Sequence, residues 1–150
     1  MKEIYLAVMA RLLAEVPALK WIDLDEGQLD ANQSERPSVG FPAALVGIDL
    51  TQCETLYGSR QRATATVSVR VAQNPTVSRT SAGANAQART ASLERFDLIE
   101  AVAMALQDYG TAAFNPLSRV RQVKERRQDG ILIYRIEFET AFRTGEAVEN

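Results

Sequence analysis

Histidine is absent from this 150-residue chain, and cysteine occurs once, at Cys53. Without histidine there is neither the commonest metal ligand nor the usual general base at neutral pH, and a lone cysteine cannot close an internal disulfide. Zinc chemistry and Ser-His or Cys-His nucleophilic catalysis are thereby excluded. Long apolar runs are missing too. The opening segment MKEIYLAVMARLLAEV is interrupted by Glu3, Arg11 and Glu15, and its longest uncharged run, Ile4 to Ala10, is too short for a membrane span or a signal sequence. A soluble, intracellular protein without membrane contact is expected, and the scarcity of cysteine agrees. No P-loop, G-x-G-x-x-G or G-x-S-x-G occurs, so nucleotide and hydrolase chemistries have no starting residues. No cofactor and no catalytic residue are expected.

Carboxylates are missing from the middle of the chain. Met1 to Glu54 holds nine acidic residues against four basic ones, a net of −5, whereas between Glu54 and Glu94 there are only Arg60, Arg62, Arg70, Arg79 and Arg89, a net of +5. Ten acidic and eight basic residues fill the remainder. Such a division favours an anionic partner, or self-association in which the basic part of one copy meets the acidic part of the next. Residues 73–92, QNPTVSRTSAGANAQARTAS, also lack Leu, Ile, Met and every aromatic. A segment with so little apolar surface cannot offset its ordering entropy, so a mobile arm, ordered against a neighbour, is expected there.

The rest is apolar enough to fold. With 46% hydrophobic residues, one domain spanning 1–150 can bury about 68–70% of its unfolded surface. Ile4, Tyr5, Val8, Met9, Leu12, Leu13 and Val16 recur at helical spacing, predicting an amphipathic helix over 2–16 that turns Lys2, Arg11 and Glu15 outward and stops at Pro17. ALKWIDLD predicts a short strand, EGQLDANQSERPSVG a loop, and FPAALVGIDL a strand over 43–49. In RQRATATVSVRVAQ, Ala65, Val67, Val69 and Val71 alternate with Thr64, Thr66, Ser68 and Arg70, predicting a half-buried strand over 61–72. At the usual rise it measures about 40 Å, long enough to overhang its core.

A second helix is predicted from Leu93, Phe96, Ile99, Val102, Ala103 and Leu106, ending near Gly110, with ANAQART able to extend it backward. The tail reads as a hairpin: SRVRQVKERRQ, a turn at Asp129-Gly130, then a return strand with Leu132, Tyr134, Ile136, Phe138 and Phe142 on one face and Arg135, Glu137, Glu139 and Arg143 on the other. Residues 144–150 are expected to fray. The fold expected is a two-layer α+β sandwich, one mainly antiparallel sheet with two helices on one face, in the order α-β-β-β-α-β-β. The second sheet face, rich in Thr, Ser, Arg and Glu, suits solvent or a polar interface.

Three constellations invite chemistry. Asp23, Asp25, Glu26 and Asp30 loosely match a calcium loop, but Gln28 and Ser34 stand where glycine and glutamate are required, leaving an acidic exposed turn. Glu137 and Glu139 share a strand face, yet Arg135 and Arg143 flank them, which makes a charge ladder rather than an acid/base pair. SRVRQVKERR is basic but lacks interleaved aromatics, so sequence-specific nucleic-acid binding is not expected.

LLAEVPALKWIDL, FPAALV, the long alternating strand, LERFDLIEAVAMAL and the closing YRIEFETAF follow an order that resembles the tail terminator and neck proteins of long-tailed bacteriophages, including minor tail or tail completion proteins of Mu-like prophages, over nearly the whole chain. The resemblance implies a non-enzymatic subunit of a homohexameric ring that caps the tail tube and joins it to the head connector. It would act in the virion tail or neck and assemble in the host cytoplasm. Tail tube, connector and sister copies would be its partners, and Arg79 and Arg89 would be contacts of the arm. The candidate interface residues are Arg62, Arg70, Arg79, Arg89, Arg135, Glu137 and Glu139. The alternative is a small monomeric or dimeric α+β domain serving as a ligand-binding or adaptor module.

Overall fold

The computed structural model describes residues 1–30, 38–74 and 79–145. Helix α1 (Lys2–Glu15) forms because Ile4, Val8 and Leu12 recur every four residues and bury one stripe, while Glu3 in the first turn complements the helix dipole. The Val16 N–H bonds the Leu12 carbonyl at 2.9 Å and Pro17 prevents continuation. Five strands follow: β1 (Trp21–Leu24), β2 (Ala43–Tyr57), β3 (Arg60–Gln73), β4 (Ser118–Lys124) and β5 (Leu132–Thr144). They form one mixed sheet in the order β1-β2-β3-β5-β4, parallel only between β1 and β2. The predicted α-β-β-β-α-β-β order holds, with the second helical region divided at Glu94 into α2 (Ala86–Leu93) and α3 (Arg95–Leu106).

The core lies between one sheet face and the helices α1 and α3. Ala65, Val67, Val69 and Val71 of β3, with Ile136 and Phe138 of β5, meet Ile4, Val8 and Leu12 of α1 and Ile99, Val102, Ala103 and Leu106 of α3. Phe138 is fully buried, and burying a side chain of that size contributes about 1.5–3 kcal/mol. Leu93 and Phe96 were expected on the inner stripe, yet both are exposed beside the break at Glu94, and Phe96 meets the sheet through an edge-on contact with Tyr134 of β5, ring centres 6.2 Å apart. Arg11, expected to point outward, donates from Nε to the Ala105 carbonyl at 2.9 Å and lies 5.0 Å from the Tyr109 ring centre, tying α1 to the end of α3. The helix stops short of Gly110. That glycine is needed for another reason: a Cβ there would come within 2.7 Å of the Pro116 backbone nitrogen.

A smaller apolar cluster covers one end of the second sheet face, where Leu29, Val39 and Phe41 pack on Ala43, Leu45, Ala72, Ile131 and Ile133. The remainder of that face is polar. The largest departure from expectation is the length of β2, which continues eight residues beyond Asp49 to Tyr57 and pairs with β3 throughout. Positions 49–57 are all exposed. The turn at Gly58, with φ of 55°, closes a β2–β3 hairpin whose tip stands clear of the helices, and there Arg60 donates to the Tyr57 hydroxyl.

The arm expected over 73–92 falls partly on residues 75–78, outside the described ones. At its ends, Gln73 closes β3, and Ala86–Leu93 is α2, capped by the Asn85 side chain accepting from the Ala88 N–H at 2.8 Å. The expected frayed terminus falls mainly on 146–150, also outside. No helix among the described residues is long and apolar enough to cross a membrane.

Candidate functional site

The polar sheet face is organised around Arg70. Alternation along β3 turns Arg70 to the face opposite the main core, beside Leu45 of β2 and Arg135 of β5. It is nevertheless only 6% exposed. A buried cation is tolerated only when it is paired and fully hydrogen-bonded, and Arg70 meets both conditions. Its Nη1 and Nη2 donate to the two oxygens of Asp30 at 2.9 and 2.8 Å, and its Nε and Nη2 to the two oxygens of Glu125 at 3.0 and 2.7 Å. Nη1 also donates to Asp25 at 3.4 Å. All five N–H donors of the guanidinium are thus engaged, in two forks of the geometry that suits carboxylates.

Charge regulation follows from these contacts. Burial works against the charged Arg70, but the hydrogen bonds to Asp30 and Glu125 and the nearby carboxylate charges outweigh it, so its pKa stands above the ordinary arginine value. The hydrogen bond from Arg70 holds the Asp30 carboxyl below its usual range. Burial pushes the Glu125 carboxyl up, while hydrogen bonds from Arg70 and Arg135 prevail and hold it down. Arg127, almost wholly buried, donates to the Leu29 carbonyl and clamps Asp129, both at 2.6 Å. That clamp lowers the Asp129 pKa. These contacts order the loop between β4 and β5, which is longer than the tight Asp-Gly turn expected.

The seven candidate interface residues do not form one patch. Arg70, Arg135 and Glu137 share the polar face, where Arg135 reaches Glu125 at 2.8 Å and Glu137 at 3.9 Å. Glu139 is exposed on the same face opposite Thr66. Arg62 lies further along β3 toward the hairpin tip, in register with Glu54 and Arg143. Arg79 and Arg89 sit apart, the Arg79 N–H bonding Ser92 Oγ at 3.2 Å and Arg89 donating to the Ala82 carbonyl at 3.4 Å. Of the seven, Arg70 is the buried one, with all its donors engaged within the chain, and Arg135 is paired to Glu125 and Glu137. An open cleft of about 650 Å³ runs along this face past Asp49, Ser68, Arg70 and Glu137. Because Asp25 and Asp30 belong to Arg70, the acidic turn singled out from the sequence is half of an ion cluster rather than a free patch.

A second feature went unnoticed in the sequence. The sheet has two open edges of opposite charge. β1 covers only Ala43–Val46 of β2, and beyond them Gly47–Tyr57 carries Asp49 and Glu54 with no basic residue. At the far side, β4 carries Arg119, Arg121 and Lys124 with no acidic residue. The strand SRVRQVK had shown its charge, but its position at an edge depends on β5 pairing with β3 across the chain.

Fold and surface together define an α+β protein with helices on one sheet face, an ion-clustered second face and an overhanging hairpin. No protein-family model and no curated protein sequence matches the chain. Among solved structures, 21 chains match. One is a chain described as "Virion of native gene transfer agent (GTA) particle", similar at a TM-score of 0.58 and 14% sequence identity over 93% of this chain and 94% of that one. At that identity the likeness is one of fold.

Proposed function

We propose that this chain is a structural subunit of a phage-type virion, without enzymatic activity, whose copies assemble into a ring that caps the completed tail tube and helps join tail to head. The overhanging β2–β3 hairpin with its open β2 edge carries this reading. An isolated subunit leaves the backbone groups of that edge to water, whereas a neighbour's strand can take them up. The fold shared with a chain described as belonging to the virion of a gene transfer agent particle supports it. Six copies are what the resemblance to tail terminators implies. Arg62, Arg79, Arg89, Arg135, Glu137 and Glu139 are the positions proposed to meet neighbours or the tube, with Arg70 holding the face in shape. The protein would reside in the tail or neck of the particle and in the host cytoplasm while it assembles.

Sedimentation velocity over a range of salt concentrations, with and without tail tubes of the same particle, tests the proposal. A ring that forms alone or on the tube is expected. A protein that stays monomeric in both settings and leaves tubes uncapped in electron micrographs rejects it, and favours the small adaptor domain.

A further inference from the structure

We propose that the ring closes by sheet extension: the basic outer edge of β4 in one copy pairs with the acidic outer edge of β2 in the next. This rests on the assembly reading above and names its interface. Among the described residues, Ile48–Tyr57 makes no backbone hydrogen bonds except to β3, and Val120–Lys124 none except to β5. Both edges thus leave their outward backbone groups unpaired, interrupted by bulges at Thr51 and Leu56 on β2 and at Val120 on β4. Their lengths agree, since the seven residues of β4 fit within the exposed portion of β2.

Charge selects the partner. Asp49 and Glu54 on β2, and Arg121 and Lys124 on β4, have no ion pair within the subunit among the described residues. Glu54 stands in register with Arg62, but the two are not in ion-pair contact. Two β2 edges placed together would set carboxylates against carboxylates, and two β4 edges would set cations against cations. Like charges directly opposite are destabilising in a sheet. Only the β2–β4 combination joins opposite signs, and it is heterologous, so it propagates into a ring or filament rather than a two-fold dimer.

Geometry is consistent with closure. Within the sheet, β4 runs opposite to β2, because β3 and β5 intervene and each successive pair is antiparallel. A rotation axis along the strands preserves their directions and brings the next copy's β4 antiparallel to β2. Asp49, Glu54 and Arg121 then share the polar face, while Lys124, opposite Tyr134, lies on the helix face and adds only to the sign of the edge. Exposed apolar groups line both edges, Leu50, Leu56 and Tyr57 on β2 and Val120 and Val123 on β4.

Charge exchange tests the inference. The variants Asp49→Lys/Glu54→Lys and Arg121→Glu/Lys124→Glu each alter exposed side chains, so both should fold, which circular dichroism and a thermal melt check. Each alone is expected to remain monomeric at concentrations where the wild type assembles, since both of its edges then carry one sign. An equimolar mixture is expected to assemble with alternating copies, because each variant's edges complement the other's. If the separate variants assemble as the wild type does, or their mixture stays monomeric while the wild type forms rings, the β2–β4 pairing is wrong although the ring stands. A wild type that never assembles, alone or on tubes, overturns the ring itself and this interface with it.

Discussion

At the scale of single residues the decisive one is Arg70, whose five donors hold three carboxylates from two distant loops on an otherwise open sheet face. Replacing it by Met keeps much of the bulk but leaves Asp25 without its counter-charge and Glu125 with Arg135 alone, both carboxylates being largely buried. Removing one partner of a buried ion pair costs about 3–5 kcal/mol. Asp30 is more than half exposed and can recover water, which places Arg70→Met near the lower end, about 3 kcal/mol by urea denaturation. The pH dependence separates lost charge from lost packing. Asp30, Glu125 and Asp129 have folded pKa values below their ordinary ones, so in that interval the unfolded chain binds more protons, and stability rises with pH. The stabilisation is complete above the ordinary values of 4.5 for Glu125 and 3.8 for the aspartates. It is lost as pH falls from there through the folded values. In Arg70→Met, Asp30 and Glu125 should titrate nearer their ordinary values, giving a shallower loss over the same acid range. A parallel slope for variant and wild type would assign the destabilisation to packing.

Elements differ in how far the sequence betrays them, for a physical reason. Where one face is buried and one is wet, as in β3 and β5, alternation is imposed on the sequence, and both strands are legible nearly to their ends. Residues 50–57 of β2 have no buried face, so nothing imposes a period on LTQCETLY, and the strand's second half was invisible. The Arg70 cluster was hidden by distance along the chain. Asp30 and Glu125 lie 40 and 55 residues from Arg70, and only the completed sheet brings them together. The hairpin tip offers a test at this scale. Replacing Thr55–Gln61 by Asn-Gly joins the registered pair Glu54 and Arg62 through a two-residue turn of the preferred type. Because the removed residues are almost all exposed, the melting temperature should change little and far-UV circular dichroism should retain its α+β form. Loss of the whole fold would mean that the overhang supports the core, contrary to its burial.

For the whole molecule, the helices cover one sheet face and the ion cluster fixes the other, which leaves interaction to the edges and the overhang. Net charge describes this poorly. The chain is only −2 overall, yet charges of opposite sign are separated across the width of the sheet, and association through them should weaken as salt shortens the screening length to about 8 Å near physiological ionic strength and less above it. Cys53 supplies an internal reporter. It is exposed on the overhanging portion of β2, is the chain's single thiol, and is neither an acidic nor an apolar member of the proposed contact. A thiol reagent should therefore label it fast in dilute protein at high salt, where subunits are separate. At low salt and higher concentration, labelling should slow in step with the assembled fraction measured by sedimentation. Asp49→Lys/Glu54→Lys should keep the fast rate under both conditions, because its fold and its thiol are intact while its edge no longer attracts a neighbour. Labelling that stays fast in fully assembled wild type would place the hairpin on the outside of the ring and move the subunit contact elsewhere.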